Sequence, residues 1–316
     1  MSDDKLYLSS SPHFHGSIST KLIMWIVVIA LLPVCAAGCI IFGWRALAVL
    51  SVSTLSCVLF EFLFNMLVYR KTEPERIYSV KDGSAVITGL LLACTLSPMV
   101  PFWQVILGAF FSMVIVKGFF GGIGQNIWNP ALAGRAFLFI CFPSTMGALW
   151  LDPLTDAVSG ATILSQPSQF TSYWDLFLGR QGGCIGETAA LIILISGLFL
   201  IWMKIIDWRT PLSFIGTVAV LTLISGGNVL SAILSGGLML GAFFMATDYV
   251  TSPITPLGRA VFGFGCGLIT FLIRKFGGYP EGVMFSILFM NCIHPFLNNL
   301  SPRKYGYGKK SKGGKK

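Results

Sequence analysis

The sequence predicts an all-α membrane protein with about ten transmembrane helices in two inverted five-helix repeats. Three observations support this fold class. Of the 316 residues, 54% are hydrophobic and 11% are charged, whereas a soluble domain carries about 25% charged residues. Apolar runs of membrane-spanning length follow one another from residue 22 to residue 298. Short matches between the two halves of the chain indicate an internal repeat.

Ten apolar runs define the predicted spans. A helix needs about 20 apolar residues to cross a bilayer, and the seventh and ninth runs are short of this. The runs are 22–43, 46–69, 83–101, 103–120, 131–150, 184–206, 211–226, 229–247, 258–273 and 281–298. They divide the chain into a tail (1–21), a first repeat (22–150), a polar loop (151–183), a second repeat (184–298) and a basic tail (299–316).

The positions of Lys and Arg predict the orientation. With ten spans and a cytoplasmic N-terminus, 18 of the 22 basic residues fall on the cytoplasmic side, as the positive-inside rule requires. We therefore expect a multi-pass protein of a bacterial or archaeal cytoplasmic (inner) membrane, with both termini cytoplasmic and the loop 151–183 outside. The net charge of +9 follows from this orientation and does not indicate nucleic-acid binding. The polar N-terminus and the long first apolar run predict no cleavable signal peptide.

Three short matches keep the same order in both halves of the chain. Five spans per half would make the two halves inverted relative to each other, as in many transporters. The matches are Ser84–Leu92 with Ser231–Met239, Ser97-Pro98 with Ser252-Pro253, and Phe120-Gly121-Gly122 with Phe276-Gly277-Gly278, at offsets of 147, 155 and 156 residues.

The polar loop contains the pattern D-x-x-S-G-A-T, from Asp156 to Thr162. Gly160 allows the backbone to turn where a Cβ would clash, and Ala161 leaves the approach open. Ser159 and Thr162 present hydroxyl groups, and Ser, Thr and Asp also bond to nearby backbone. The motif alone is more typical of an ordinary surface turn.

In its position midway along a polytopic chain, this motif resembles that of a family of flavin-bearing membrane subunits. The family comprises the D subunit of the Rnf complex and the B subunit of the sodium-pumping NADH:quinone oxidoreductase. Two further segments carry the resemblance, Asp82–Leu92 (D-G-S-A-V-I-T-G-L-L-L) and Gly121–Ala131 (G-G-I-G-Q-N-I-W-N-P-A). The similarity extends over about residues 20–300.

The resemblance implies FMN held by a phosphoester on Thr162 and attached by a flavin transferase. Gly160 and Ala161 would offer backbone N–H groups to the phosphate, beside Ser159, and Asp156 would serve the turn or the attaching enzyme. A second, non-covalent flavin, riboflavin, is also implied, with Gly121–Ala131 as its candidate lining. The flanking aromatic residues could stack on the flavin ring or form an interfacial belt; they are Trp150, Phe170, Tyr173 and Trp174.

The resemblance further implies a subunit of an ion-translocating ferredoxin:NAD⁺ oxidoreductase of the Rnf type. Such a subunit works with the A, B, C, E and G subunits in a lipid membrane and couples electron transfer to Na⁺ or H⁺ transport. The Rnf D subunit is favoured over the quinone reductase B subunit, because B has a longer N-terminal extension and this first span begins by residue 22. The alternative from another class is a urea-channel-like solute transporter, which shares the inverted five-plus-five architecture.

The sequence offers no catalytic or metal-ligating residues of its own. No Cys-x-x-Cys or ferredoxin-type run occurs, and no G-x-G-x-x-G follows a strand. The eight cysteines lie mostly in apolar runs and are interpreted as packing residues. Cys35 and Cys39 are one helical turn apart, but no nearby Cys or His in the sequence completes a metal site with them. Iron–sulfur and nicotinamide chemistry is therefore assigned to partner subunits.

Four charged residues within or at the ends of the predicted spans are candidates for ion transport, since charges at membrane depth are usually functional. They are Glu61, Lys117, Glu187 and Asp248. Glu61 is the strongest, whereas Lys117 and Asp248 are interpreted as interfacial charges at span ends. The broken segments 121–130 and 247–258 are predicted to be re-entrant or interfacial, or else tight loops outside the bilayer.

Overall fold

A computed structural model describes residues 19–70, 80–147, 150–151, 158–159, 173–179, 182–277 and 282–300. These residues form 13 α-helices, two π-helices, two 3₁₀ turns (80–82 and 298–300) and a two-residue antiparallel strand pair, which confirms the predicted all-α class. The first half contains α1 (Thr20–Phe42), α2 (Trp44–Tyr69), α3 (Ser84–Cys94), α4 (Phe102–Phe110), π1 (Phe111–Gly118), α5 (Pro130–Cys141) and α6 (Pro143–Gly147). Strands β1 (Trp150–Leu151) and β2 (Val158–Ser159) and helix α7 (Tyr173–Leu178) follow. The second half contains α8 (Ala190–Trp202), α9 (Arg209–Ile224), α10 (Val229–Leu234), α11 (Leu238–Leu240), π2 (Gly241–Met245), α12 (Pro256–Phe276), α13 (Val283–Leu297) and the 3₁₀ turn Asn298–Leu300.

The long helices of the described residues make this a multi-pass membrane protein. Four helical segments are long and apolar enough to cross a membrane, namely Thr20–Phe42, Trp44–Tyr69, Pro256–Phe276 and Val283–Leu300. Five further apolar helices have 10–17 residues. Several predicted spans are therefore shorter than expected, whereas α12 extends the short ninth run to 21 residues.

Local sequence signals explain where the helices begin. Ser19 caps α1 by accepting a hydrogen bond from the Leu22 N–H, and Thr255 caps α12 through the Gly258 N–H, with Pro256 at the first helical position. Helices α3 and α11 each begin after a glycine in the left-handed region, Gly83 and Gly237. Because such a turn favours glycine, these two positions fix the start of the short helices.

Helix α3 corrects the third predicted span, 83–101, because it ends at Cys94 and an irregular segment follows. The carbonyl groups at its end are satisfied from the second half of the chain. The Gly186 N–H donates to the Cys94 carbonyl at 2.8 Å, and the Ile185 N–H donates to the Leu96 carbonyl at 3.0 Å. A helix can end inside an apolar bundle only when its free carbonyls find such partners.

The sixth and eighth predicted spans are also corrected. Helix α8 begins only at Ala190, because the preceding segment 184–189 runs alongside the end of α3. The run 229–247 is broken by Ser235, Gly236 and Gly237 into α10 and α11–π2. Both glycines have positive φ, which a regular helix cannot accommodate. Broken helices of this kind are typical of transporters.

The helices pack in the same pattern in both halves. Helix α2 packs on α3 and α4, and α5 packs on the same two helices. In the second half α9 packs on π2 and α12, and α13 packs on the same two elements. The halves meet through the equivalent pairs α1–α8 and α5–α13. Two five-helix units related by an approximate two-fold axis would produce this pattern, and the inverted direction of the second unit stays a prediction.

The structure shows that one of the sequence matches joins residues at positions that are not equivalent in the two halves. Ser97-Pro98 and Ser252-Pro253 each lie between a short helix and the next helix of their half. Ser84, however, begins α3, whereas Ser231 lies inside α10. The equivalent starting points are the left-handed Gly83 and Gly237. The match at an offset of 147 residues was therefore wrong, because common Ser, Gly and Leu residues aligned by chance.

Gly263→Ala is expected to lower the free energy of unfolding by about 1–3 kcal/mol through overpacking. A Cβ on Gly263 of α12 would lie 2.5 Å from the Thr210 carbonyl oxygen of α9, so the two backbones must separate. The control is Gly216→Ala on α9, where a Cβ meets nothing within 4 Å and alanine favours the helix. Unfolding of both variants is followed in detergent, and equal stability would show that α9 and α12 are not in close contact.

Candidate functional site

The predicted flavin-attachment motif lies mostly outside the described residues. Thr162, Gly160, Ala161 and Asp156 all fall there. Ser159 ends β2, and its backbone pairs with Trp150 of β1, while Leu151 pairs with Val158. This ladder fixes the chain immediately before Gly160. The role of the motif stays a prediction.

A central cavity lies between the two halves of the protein and has about 780 Å³ of empty space, part of which is open to solvent. It is lined from the first half by α1, α3, the end of π1 and the loop 119–129, and from the second half by α8, π2 and the loop 246–250. Both π-helices border it, and π-helical turns are frequent at functional sites. Its polar lining residues are Ser84, Thr88, Lys117, Asn126, Asn129, Thr247, Asp248 and Tyr249.

The two segments that accompany the predicted flavin-attachment motif in the sequence converge on this cavity. The segment Asp82–Leu92 contributes residues of α3, including Ser84 and Thr88. The segment Gly121–Ala131 contributes Asn126 and Asn129, whose side chains are buried. The broken segment 247–258 supplies Asp248 from the other half. Both irregular segments therefore line a cavity, which is where non-helical backbone is tolerated at membrane depth.

A buried ion pair forms one wall of the site. Lys117 Nζ, at the end of π1, lies 2.6 Å from Glu61 Oε1 of α2. It also donates to the Ser84 hydroxyl of α3 at 2.7 Å. The other carboxylate oxygen, Glu61 Oε2, has no hydrogen-bond partner among the described residues. The pair thus joins three elements, and Lys117 is itself part of the cavity lining.

This geometry corrects the interpretation of Lys117 as an interfacial charge. Its residue exposure is 4%, and its partner Glu61 is 6% exposed. A buried ammonium is tolerated only when a carboxylate and further hydrogen bonds compensate for lost hydration. The sequence contained a signal for this pairing, since each of two predicted spans, 46–69 and 103–120, carries a single charge of opposite sign.

Asn129 connects the two halves beside the cavity. Its side-chain oxygen caps α5 by accepting from the Ala131 and Leu132 N–H groups. Its amide nitrogen donates to the Met245 carbonyl of π2 at 3.3 Å. The amide of Asn291, oriented to satisfy its neighbours, accepts from the Asn129 N–H and donates to the Thr251 carbonyl, each at 3.2 Å. Sequence analysis missed this bridge, because Asn291 carries no motif.

Asp248 supplies a partly buried carboxylate to the cavity. Thr251 Oγ1 donates to Asp248 Oδ2 at 3.1 Å. The next residue, Tyr249, donates its hydroxyl to the Ile205 carbonyl. The loop is thereby held against the segment after α8, with the carboxylate turned to the cavity rather than placed at an outer span end.

The remaining charged candidate, Glu187, lies apart from the central cavity. It lines a smaller cavity of about 330 Å³ together with Thr95, Arg135 and Gly237. Arg135, on α5, is buried and donates to Cys184 Sγ at 3.5 Å. The structure therefore brings Glu61, Lys117 and Asp248 to one site and leaves Glu187 at another.

The buried cysteines pack in the helix core. Cys35 Sγ of α1 lies 3.6 Å from Cys94 Sγ at the end of α3, and both residues are buried. In the described part of the chain, no three His, Cys, Asp or Glu side chains are grouped so that they could hold a metal ion. The pair therefore marks the contact between α1 and α3.

Comparisons with known proteins agree over the whole chain. Residues 7–306 match the model of the NQR2, RnfD, RnfE family. The chain is 44% identical to the D subunit of the Na⁺-translocating ferredoxin:NAD⁺ oxidoreductase complex of Acetobacterium woodii, over 98% of each protein. It is 39% identical to the D subunit of the proton-translocating ferredoxin:NAD⁺ oxidoreductase complex of Clostridium ljungdahlii, over 95% of this chain and 96% of that protein. It is also 38% identical to the D subunit of the ion-translocating oxidoreductase complex of Stutzerimonas stutzeri, over 93% and 94%. The protein therefore belongs to the NQR2, RnfD, RnfE family.

Proposed function

We propose that this chain is the D subunit of an ion-translocating ferredoxin:NAD⁺ oxidoreductase complex. The observation that carries the proposal is the end-to-end similarity to relatives named as the D subunit of such complexes, at 44% and 39% identity. The chain would be part of an oxidoreductase that moves ions, without a complete active site of its own. Its partners would be the A, B, C, E and G subunits, which would supply iron–sulfur and nicotinamide chemistry.

The proposed electron carrier is FMN, esterified through its phosphate to Thr162 by a flavin transferase. When bound, the flavin would accept and release electrons one at a time. This chain would contribute the attachment residue, Thr162, and the loop that holds it. The β1–β2 ladder pairs Ser159 with Trp150. The backbone just before the attachment motif therefore has a fixed position, which supports a role in holding a cofactor. A second flavin, riboflavin, is proposed to bind near the Gly121–Ala131 segment, which borders the central cavity.

The central cavity is the proposed ion site, for Na⁺ or H⁺. Lys117 is neutralised by Glu61 at 2.6 Å, so the Asp248 carboxylate is the negative group left to attract a cation there. Thr88 and Asn126, whose side chains carry oxygen atoms, also line the cavity, and hard cations prefer oxygen ligands. Because the lining comes from both halves, small movements between them could alter access to the site.

The proposed location is the bacterial or archaeal cytoplasmic (inner) membrane, with both termini inside and the Thr162 loop outside. The arrangement of the first helices supports this orientation, because it places several basic residues at the same end of the bundle. Gly43 alone joins α1 to α2, so Lys21 and Arg70 lie at the same end and Arg45 at the other. Lys81 lies at the first end too, because its carbonyl accepts from Trp25 Nε1 of α1 at 3.3 Å. This end is the basic one.

A solute transporter is the second candidate function, and the cavity between two similarly packed halves favours it. The two functions differ in what the loop 151–183 must do: the electron-transfer subunit needs it to carry flavin, whereas a transporter needs no flavin anchor. Flux of a small neutral solute into liposomes that contain this chain alone would support the transporter. A B subunit of a Na⁺-translocating quinone reductase is distinguished by testing whether ferredoxin or quinone is used by the purified complex.

Thr162→Ala is expected to abolish covalent flavin, because alanine has no hydroxyl to esterify. The protein is produced together with a flavin transferase, denatured, separated by electrophoresis and examined for flavin fluorescence under ultraviolet light. Thr171→Ala, in the same loop, is the matched control and should stay fluorescent. A dark wild-type band despite active transferase, or a fluorescent Thr162→Ala band, would rule out Thr162 as the attachment site.

A further inference from the structure

A second pocket of about 1170 Å³ opens beside the ends of three helices. It lies between the end of α8, the start of α9 and the start of α12. Thr247, Tyr249 and Ile206 line both this pocket and the central cavity, so they form the wall between them. We call it the basic pocket, because of its charged lining residues Lys204, Asp207, Arg209 and Arg259.

The basic pocket has more positive than negative charge. Asp207 Oδ2 accepts from Arg259 at 2.8 Å and from Arg209 at 3.2 Å. The pKa of Asp207 lies below its ordinary value. Burial raises this pKa, but the hydrogen bond from the Arg209 N–H and the ion pair with Arg259 together lower it by more than burial raises it. The carboxylate therefore stays ionised, yet it is one anion against three cations. Lys204 has no acidic partner among the described residues and is exposed.

The backbone holds Lys204 in an unusual conformation at the pocket. Lys204 has φ 57°, and among the described residues no other non-glycine residue has a positive φ. The Lys204 N–H donates to the Ile201 carbonyl, and the Ile205 N–H donates to the Leu200 carbonyl, so that α8 ends in a left-handed cap. Glycine is the usual residue at this position of a helix end. A lysine at this position lowers local stability relative to glycine, and it places an ammonium group at the pocket.

The rim of the basic pocket is apolar and faces outward. Trp208 lines the pocket and is exposed, and so are Trp202 and Met203, the two residues before Lys204 in the chain. Ile254 also lines the pocket and is exposed, as are Leu257, two residues before Arg259, and Leu212 of α9. Exposed tryptophans next to cations are typical of the boundary between lipid tails and headgroups. The pocket therefore combines a cationic interior with an apolar collar, as an amphiphilic anion requires.

We propose that the basic pocket binds the headgroup phosphate of an anionic phospholipid, whose acyl chains lie on the apolar collar. Lys204, Arg209 and Arg259 would hold the phosphate, which Arg can contact through two N–H groups at once. Basic pockets between helices are known to suit anionic headgroups. The lipid would rest against Tyr249 and Thr247, on the outer side of the wall that closes the central cavity. This binding does not depend on whether Thr162 carries flavin.

The test compares lipids on the full-length protein in detergent by native mass spectrometry. Phosphatidylglycerol and phosphatidylcholine with identical acyl chains are the probes. The variant Lys204→Gln/Arg209→Gln keeps Arg259 paired with Asp207. The matched control is Arg45→Gln/Lys275→Gln, which removes the same charge from two exposed sites away from the pocket. We expect roughly 30-fold weaker phosphatidylglycerol binding in the first variant, at about fivefold per basic residue, and less than about twofold change in the control.

Asp207→Asn separates a binding role from general damage to the fold. It removes the competing anion while keeping an oxygen that can accept from the Arg209 N–H. Phosphatidylglycerol binding should therefore become tighter, whereas a site that was merely disrupted would bind more weakly. Weaker binding by this variant would overturn the proposal.

Three further outcomes would also overturn the proposal. Equal binding of phosphatidylcholine by the wild type would show that charge is not recognised. Displacement of the lipid by millimolar inorganic phosphate would identify a site for a soluble phosphate compound instead. Loss of copurifying subunits from Lys204→Gln/Arg209→Gln, without any wild-type preference for phosphatidylglycerol, would assign the pocket to an acidic segment of another subunit.

Discussion

Replacing Lys117 with methionine is expected to lower the free energy of unfolding by about 3–5 kcal/mol. The side chains of Lys117 and Glu61 are 6% and 7% exposed, and 2.6 Å separates Nζ from Oε1. Methionine fills much of the same space but leaves the Glu61 carboxylate buried without its cation. Removal of one partner from a buried pair costs this much because the remaining charge has lost both its hydration and its counter-ion. Titration with a denaturing detergent measures the change.

Two further variants show whether the loss comes from the unpaired charge. Lys275→Met removes an exposed cation at the end of α12 and should change stability by less than about 0.5 kcal/mol. Glu61→Leu/Lys117→Met should recover most of the lost stability, since an apolar pair can replace a buried ion pair at little cost. If Lys117→Met were as stable as Lys275→Met, the pair would not support the fold.

The all-α class and the apolar helices could be predicted from the sequence, but the positions of several breaks could not. Hydropathy measures how apolar a run is on average, and 83–101 and 229–247 carry no charged residue. Whether a helix ends inside such a run depends on partners for its free carbonyls. For α3 these partners are the N–H groups of Ile185 and Gly186, about ninety residues further along the chain. No local pattern predicts that contact.

The candidate site was predicted in its parts but not as a whole. Glu61 was identified as a lone intramembrane acid, and Lys117 and Asp248 as charges near span ends. Their meeting around one cavity depends on how α2, π1 and the loop after π2 are packed. Asn126 and Asn129 belong to a recognisable segment, yet their burial follows from the turn that three positive-φ glycines allow, at Gly121, Gly122 and Gly124. Motifs thus indicated which residues matter, and tertiary packing determined with which others they act.

Asp248→Asn is expected to reduce ion transport by the reconstituted complex at least tenfold while covalent flavin is retained. The amide has the shape of the carboxylate and can still accept from Thr251 Oγ1, which lies 3.1 Å away. It lacks the negative charge, however. Because Glu61 already pairs with Lys117, no net negative charge would then remain at the cavity to attract a cation. Ion uptake into liposomes, driven by electron transfer from reduced ferredoxin, measures the effect.

Asp175→Asn is the matched control, because Asp175 lies on α7 and outside the residues that line the cavity. It makes the same chemical change and should leave ion uptake within about twofold of the wild type. The contrast with Thr162→Ala is also informative, since that variant should lose covalent flavin and Asp248→Asn should keep it. Loss of transport with flavin intact would locate the ion step in the central cavity and separate it from the electron carrier. Wild-type uptake by Asp248→Asn would instead mean that ions cross elsewhere in the complex, and that the charges of this cavity serve the stability of the fold.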